Sequence, residues 1–458
     1  MDNRIVSRLT DLLGEDRVLT KPEDLLVYGY DATPMMHETP GCVLFPDSTE
    51  QIGAILRLAN AERIAVVTRG SGTGLSGGSI PVPHCIVVCT VRMDRILEID
   101  RANLTARVQP GVLTAKLDEA AKACGLFYPP DPGSIKISTI GGNVANNSGG
   151  LRGLKYGVTR DYVMALEVVL ASGDILRTGT ACMKDVAGYN LKDLFVSSQG
   201  TLGVITEILL RLVPKPASKR TLLATFPSIQ AAAETVSSII AEPIVPCTLE
   251  FLDRMTISCV EDYAHIGLPL DCEALLLMET DGHPLVTEEE ARAMERIARE
   301  HGALQVQIAK DDFEAERLAS ARRSASPALA RVAPTTILED ATVPRNRLAE
   351  MVTFIQKTAE KYQIRIGTFG HMGDGNLHPT FLTDERNTDE IHRVEQGFAE
   401  IFEKAIALGG TITGEHGVGL AKKRFLPALI GQVGLNVHRE VKRAFDPNMI
   451  LNPGKIFD

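Results

Sequence analysis

The sequence predicts an α+β chain of two main parts, a glycine-rich β domain followed by a domain built on a split βαβ sheet, and three observations predict it. Glycine-rich turns alternate with short apolar strands through the first 211 residues. LVPKPAS at 212–218 then ends a strand-like run with two prolines, the clearest boundary signal in the chain. Beyond it, residues from about 220 to 310 read strand, helix, strand and again strand, helix, strand: TLLATF, SIQAAAETVSSII, VPCTLEF, EALLLME, TEEEARAMERIAREH and ALQVQIA. That order is the one ferredoxin-like domains use.

Bulk properties narrow the function classes. A chain of 458 residues with 44% apolar and 23% charged side chains has the length and composition of a globular protein of two or three domains. Its net charge, 48 − 58 = −10, argues against nonspecific nucleic-acid binding through the whole surface, so acidic ligands must be met by local cations. The opening MDNRIVSRLTDLLGEDRV lacks a secretory apolar run, and no apolar stretch is long enough to span a bilayer, which predicts a cytoplasmic location. Eight scattered cysteines without a CxxC pair fit reduced core thiols better than disulfides or an iron–sulfur cluster.

Within the first part, Ser48 opens a helix with Gln51 placed for a capping box, and Ile52, Ile55, Leu56 and Ala59 form its apolar stripe. The strand IAVVT runs straight into RGSGTGLSGG at 69–78, whose small residues let several backbone N–H groups point at one centre, as in a phosphate cradle. It lacks the endings of a P-loop and of the dinucleotide fingerprint, so neither is supported, and a surface loop is the plainer reading of this tract alone. A second tract, PPDPGSIKISTIGGNVANNSGGLRGLKYG at 129–157, must lie in fixed, irregular backbone, and a large flat ligand with a pyrophosphate would suit it. The hairpin YVMALEVVLASGDILRTG and the segment SSQGTLGVITEILLRLVPKP complete this β-rich part.

In the second part, amphipathic helices carry Leu348, Met351, Val352 and Ile355, then Ile391, Val394, Phe398, Ile401 and Phe402. Between them lies HMGDGNLH at 371–378, and after them GEHG at 414–417. The Asp374-Gly375 turn signal, flanked by IRIGTF and TFL, places His371 and His378 on the two arms of a hairpin where they could share one ion. Glu415 would complete a set of two histidines and one carboxylate, which suits zinc, with manganese, iron or cobalt as alternatives, and leaves positions open for substrate. Read from these residues alone, the set would serve a hydrolase or an oxygenase equally well.

Six ordered motifs, RGSGTGLSGG, DPGS…TIGGNVANNSGG, QGTLGVIT, GHMGDGNLH, GEHGVG and NPGKIF, resemble the FAD-linked oxidases related to vanillyl-alcohol oxidase. More narrowly, the chain resembles their D-lactate dehydrogenase and glycolate oxidase flavoprotein-subunit branch, from about residue 38 to 457. The resemblance implies an FAD-binding domain over 1–216 with its core at about 38–216, a ferredoxin-like substrate cap with a metal site over 217–420, and a helical C-terminal segment, 421–458, that returns to the flavin. It places Arg69, Gly70, Ser71, Gly72, Thr73, Gly74 and Ser76 around the pyrophosphate, with Pro132, Gly133, Ser134, Thr139, Gly142, Asn143, Ala145, Asn146, Ile205 and Asn452 against the rest of FAD. No histidine occurs in 69–78, so noncovalent FAD is implied.

The same resemblance implies His371, His378 and Glu415 as metal ligands, His416 as catalytic base and Arg322 as the cation for a substrate carboxylate, with Arg323 its neighbour and competitor. The implied reaction takes a small D-2-hydroxy monocarboxylate, D-lactate or glycolate, to the 2-oxo acid by hydride transfer to flavin. Related 2-hydroxyglutarate enzymes carry a further lysine where Leu338 aligns here, which disfavours that alternative. A flavin-dependent transferase like alkyl ether-lipid synthase is a second alternative, but no apolar segment for a lipid channel is evident. Electrons would pass to an iron–sulfur subunit, an electron-transferring flavoprotein or a quinone, with any membrane association made through such a partner.

Overall fold

Parallel strands need a crossover between them, and the helix opened by Ser48 supplies the first one. A computed structural model describes residues 1–458 as two units: Met1–Gly149, Val158–Lys215 and Glu415–Asp458 form one, and Gly150–Gly157 with Pro216–Gly414 form the other. In the first unit β1 (Val18–Leu19), β2 (Cys42–Leu44), helix α1 (Thr49–Glu62), β3 (Val66–Arg69) and β4 (Ile86–Cys89) build a four-stranded sheet in the order β1-β2-β4-β3. Strand β4 runs parallel to both β2 and β3. Ser48 Oγ accepts from the Gln51 N–H at 3.3 Å, but Gln51 Oε1 accepts from the N–H of Asp47 at 2.9 Å, so the expected capping box closes one residue early. The α1 stripe Ile52, Ile55, Leu56 and Ala59 is fully buried.

The second sheet of this unit takes β5 (Ile96–Asp100), β6 (Thr105–Val108), β7 (Val163–Val169), β8 (Ile175–Gly179) and β9 (Val204–Arg211) in the order β5-β6-β9-β7-β8, antiparallel throughout. The short helix α2 (Ile140–Asn146) lies between β6 and β7 in the chain. The final segment belongs to the same unit: Leu451 bridges to Val66, and buried Lys442 on the C-terminal helix Leu426–Phe445 donates to the carbonyls of Thr201 and Leu451.

The second unit begins with β10 (Ser218–Phe226), α3 (Ile229–Ala241), β11 (Thr248–Asp253), β12 (Ala274–Gly282), α4 (Pro284–Glu300) and β13 (Gln305–Ile308), paired as β13-β10-β12-β11. This is the split βαβ arrangement predicted from sequence, with one helix the reading missed, Arg254–Ala264, inserted after β11. The chain then adds α5 (Asp312–Arg323), β14 (Thr335–Leu338), β15 (Ala341–Thr342), α6 (Leu348–Tyr362), β16 (Arg365–His371), β17 (Asn376–Thr383) and α7 (Thr388–Ala407). Strands β16, β17 and β14 continue the sheet beyond β11, and β15 also pairs with β17, so eight strands form one surface.

Helices cover this sheet on both faces, which is why its strands read as nearly unbroken apolar runs. Leu222, Ala224, Phe226, Leu249 and Phe251 pack toward α3, α4, α6 and α7. Leu223, Leu252, Leu275 and Leu277 face the other way, against Ile257 and Val260 of the inserted helix and Leu318 of α5. Fully burying one such aliphatic side chain contributes about 1.5–3 kcal/mol. No helix of the chain is long and apolar enough to cross a membrane.

Candidate functional site

Strand β3 ends at Arg69 and releases the chain into the first glycine tract, where room for side chains disappears. A Cβ on Gly70 would fall onto Thr139 Oγ1, and Gly72, at φ 76°, holds a conformation that other residues adopt only with strain. Thr139 is itself the N-cap of α2, with Oγ1 accepting from the Gly142 N–H at 3.3 Å. Thus the two tracts predicted to bind one cofactor, 69–76 and 132–146, meet at Gly70 and Thr139 within one unit. Arg69 is turned into this unit, donating to the Tyr30 carbonyl at 2.6 Å. Buried Asn143 donates to Thr114 Oγ1 at 2.7 Å, while Ile205 on β9 is buried.

The C-terminal segment is stitched to the same loop. Ser76 Oγ donates to the His416 carbonyl at 3.0 Å, and the N–H groups of Leu420 and Ala421 donate to the Ser76 carbonyl. Gln199 Oε1 accepts from the Gly419 N–H at 2.9 Å, and Asn452 Nδ2 donates to the carbonyls of Gly78 and Gln199. His416, 8% exposed, is therefore held beside the glycine loop by main-chain contacts. Glu415 precedes it, and a Cβ on Gly149 would come within 2.8 Å of its Oε2, so glycine there makes way for the carboxylate.

In the second unit the β16–β17 hairpin carries the histidine pair. The predicted turn is longer than a two-residue loop: His371 pairs with Asn376, and Met372–Asp374 form a 3₁₀ turn closed by Gly375 at φ 80°. His371 and His378 lie on the same face, with ring centroids 5.2 Å apart and nearly perpendicular planes. Phe369, opposite His378 in the register, has its ring 5.4 Å from that imidazole and 4.5 Å from the guanidinium carbon of Arg322. Arg322 is 8% exposed, whereas Arg323 is exposed and pairs with Glu316, because one step along α5 turns a side chain by about 100°.

A residue the sequence reading missed joins these groups. Glu250 on β11 is 0% exposed and stands opposite His371 in the strand register. Its Oε1 lies 2.7 Å from His371 Nδ1 and its Oε2 accepts from Arg322 Nε at 2.5 Å. Burial pushes this carboxyl up, but the His371 imidazole and the Arg322 guanidinium outweigh it and hold the group below its ordinary value, as a carboxylate. A second buried acid, Asp340, accepts from Asn376 Nδ2 at 2.8 Å, Thr413 Oγ1 at 2.6 Å and the Gly414 N–H at 2.8 Å. It fixes the hairpin turn and the backbone that leads to Glu415.

Comparison with known proteins assigns this arrangement to a family. Residues 215–456 match the family of FAD linked oxidases, C-terminal domain, and residues 40–179 match an FAD binding domain. The chain belongs to the FAD-linked oxidases. It is 57% identical to "Glycolate oxidase subunit GlcD" of Bacillus subtilis, over 94% of this chain and 92% of that one. It is also 36% identical to "D-lactate dehydrogenase" of Archaeoglobus fulgidus, over 94% and 95% of the two chains. Among solved structures, p-cresol methylhydroxylase superposes with a TM-score of 0.84 at 18% identity, covering 100% of this chain and 97% of that one. Alkyldihydroxyacetonephosphate synthase gives 0.79 at 19% identity, over 99% and 86%. Likeness at that level shows the fold these proteins share, the vanillyl-alcohol oxidase type expected from the motifs.

The first unit fits the family's cofactor on its own evidence. Positions 70 and 72 leave no room for a side chain, and a tract of short residues with exposed amides is what a pyrophosphate requires. The protein is an FAD oxidoreductase. The second unit offers imidazole nitrogens on one sheet face with a carboxylate behind one of them, a donor set suited to a divalent cation of the zinc or first-row kind.

Proposed function

We propose that this chain oxidises a small D-2-hydroxy monocarboxylate, D-lactate or glycolate, to the 2-oxo acid, with a divalent cation, zinc foremost, held by His371, His378 and Glu415. The observation that carries the reading is the shared sheet face of the second unit, where a buried arginine stands beside a pair of imidazoles. A 2-hydroxy acid presents a carboxylate and a hydroxyl on adjacent carbons, so it asks for both grips at once. The relatives named for glycolate oxidation and D-lactate dehydrogenation support the same substrate class.

When bound, the cation supplies a Lewis acid that lowers the hydroxyl pKa, and FAD supplies the hydride acceptor. The Arg322 guanidinium pairs with the substrate carboxylate and fixes its orientation. His416 takes the hydroxyl proton as the C2 hydride leaves, so proton and hydride depart from the same carbinol and a carbonyl remains. Ser76 and Gln199 hold the His416 segment against the glycine loop. Leu338 brings no second cation, and the acids Glu339 and Asp340 follow it directly, which favours a monocarboxylate over 2-hydroxyglutarate.

In this reading residues 1–216 carry the cofactor, 217–420 the substrate cap and 421–458 the returning segment. Electrons leave to an iron–sulfur subunit, an electron-transferring flavoprotein or a quinone, in keeping with a relative named as a subunit. The location is cytoplasmic, with membrane association only through such a partner. Steady-state turnover with an artificial acceptor, run on D-lactate, L-lactate, glycolate and D-2-hydroxyglutarate, tests substrate class. The best kcat/KM belongs to D-lactate or glycolate; a preference for the dicarboxylate would overturn the assignment. His378→Ala should lose the metal and slow turnover together, and unchanged metal content in that variant would reject the ligand set.

A further inference from the structure

We propose that Glu250 is a positioning residue that sets both halves of the substrate grip, orienting His371 toward the cation and Arg322 toward the carboxylate. The inference rests on the metal-assisted reading above and extends it to a residue that touches neither substrate nor metal. A carboxylate has two oxygens, and here each receives one donor: Oε1 faces His371 Nδ1 at 2.7 Å, and Oε2 takes Arg322 Nε at 2.5 Å. The first contact places the imidazole proton on Nδ1, which leaves the Nε2 lone pair for a cation. The second occupies the side of the guanidinium, so its end-on Nη fork is the edge left to meet a carboxylate.

The geometry is fixed from several directions. Glu250 and His371 are opposed in the β11–β16 register, and Phe369 lies under the guanidinium at 4.5 Å while its ring also abuts His378. Glu250 is 0% exposed, so no water relieves a change in its donors and acceptors. An amide in its place can serve one neighbour only. If Gln Oε1 accepts from Arg322, its NH2 group faces His371 Nδ1 and drives the proton to Nε2, the nitrogen the cation needs.

The test compares wild type, Glu250→Gln and the double variant Glu250→Leu/Arg322→Leu, which leaves His371 Nδ1 no acceptor at 250, as FAD-loaded full-length protein, reading Zn2+ affinity by chelator competition without substrate. Glu250→Gln should retain FAD, bind Zn2+ about 10- to 100-fold more weakly, and show a raised KM for glycolate or D-lactate at saturating Zn2+. The double variant removes both charges, so it leaves no unpaired buried cation to unfold the site, and its Zn2+ affinity should remain low. Zn2+ affinity equal to wild type in the single variant would overturn the proposal. So would recovery in the double variant, which would mean that Glu250 only neutralises Arg322. Failure of the proposed reaction looks different: wild-type flavin that no 2-hydroxy acid reduces, whatever the Zn2+ titrations give.

Discussion

The glycine loop of the first unit and the sheet face of the second, the two grips proposed above, are built by opposite means. The loop works through main chain: its residues are short, Gly70 and Gly72 have no room for a Cβ, and its ties to the C-terminal segment run largely to backbone carbonyls and N–H groups. The sheet face works through side chains, all under 9% exposed: Glu250, His371 and His378 are arranged by strand register, and Arg322 is brought in by α5. A main-chain grip fails when atoms are added, and a side-chain grip fails when charge is removed. The two units therefore answer to different kinds of substitution.

The largest effect should come from the sheet face. Glu250→Ala strands the Arg322 guanidinium without its carboxylate, and breaking a buried pair from one side costs about 3–5 kcal/mol. Denaturant unfolding should show the second unit losing that stability; a loss below about 1 kcal/mol, the worth of a surface ion pair, would erase the contrast. Among the buried cations of the first unit, Lys455 sharpens the comparison. Lys455 donates to the Ile80 carbonyl at 2.9 Å, and burial pulls its ammonium down to about 8 from 10.5. The folded form sheds this proton before the unfolded chain does, so its stability rises with pH from about 8 to 10.5, by up to about 3 kcal/mol. Lys455→Met should flatten that rise, and an unchanged pH profile would remove Lys455 from the account.

The smallest effect should follow from adding one methyl group to the loop. Gly70→Ala presses on Thr139, an overpacking worth about 1–3 kcal/mol, and should weaken FAD binding about tenfold or more while Zn2+ binding is unchanged. Equal loss of both ligands would mean that the two grips are not separate.

Legibility follows the same division. The glycine tracts announce themselves because glycine and short polar residues are scarce in packed cores, so the cradle and the hairpin histidines could be read locally. Arg322 and Arg323 could not be separated by composition, yet α5 buries one and exposes its neighbour. Glu250 was hidden within VPCTLEF, which reads as an ordinary apolar strand; its role depends on β11 pairing with a strand more than a hundred residues later. The helix Arg254–Ala264 escaped for a related reason. Leu252, Leu275 and Leu277 face it while their neighbours face the opposite layer, so no alternation marks a covered second face.

The central claim is that a 2-hydroxy acid is gripped by the sheet face and gives its hydride to flavin while His416 takes its proton. Anaerobic rapid mixing of the purified holoprotein with D-lactate or glycolate tests it most directly, with the visible flavin absorption as the readout. Bleaching by at least one of them is expected, slowed about 100-fold or more in His416→Ala. An oxidised flavin spectrum that persists with every 2-hydroxy acid, or a His416→Ala variant reduced as fast as wild type, would contradict it.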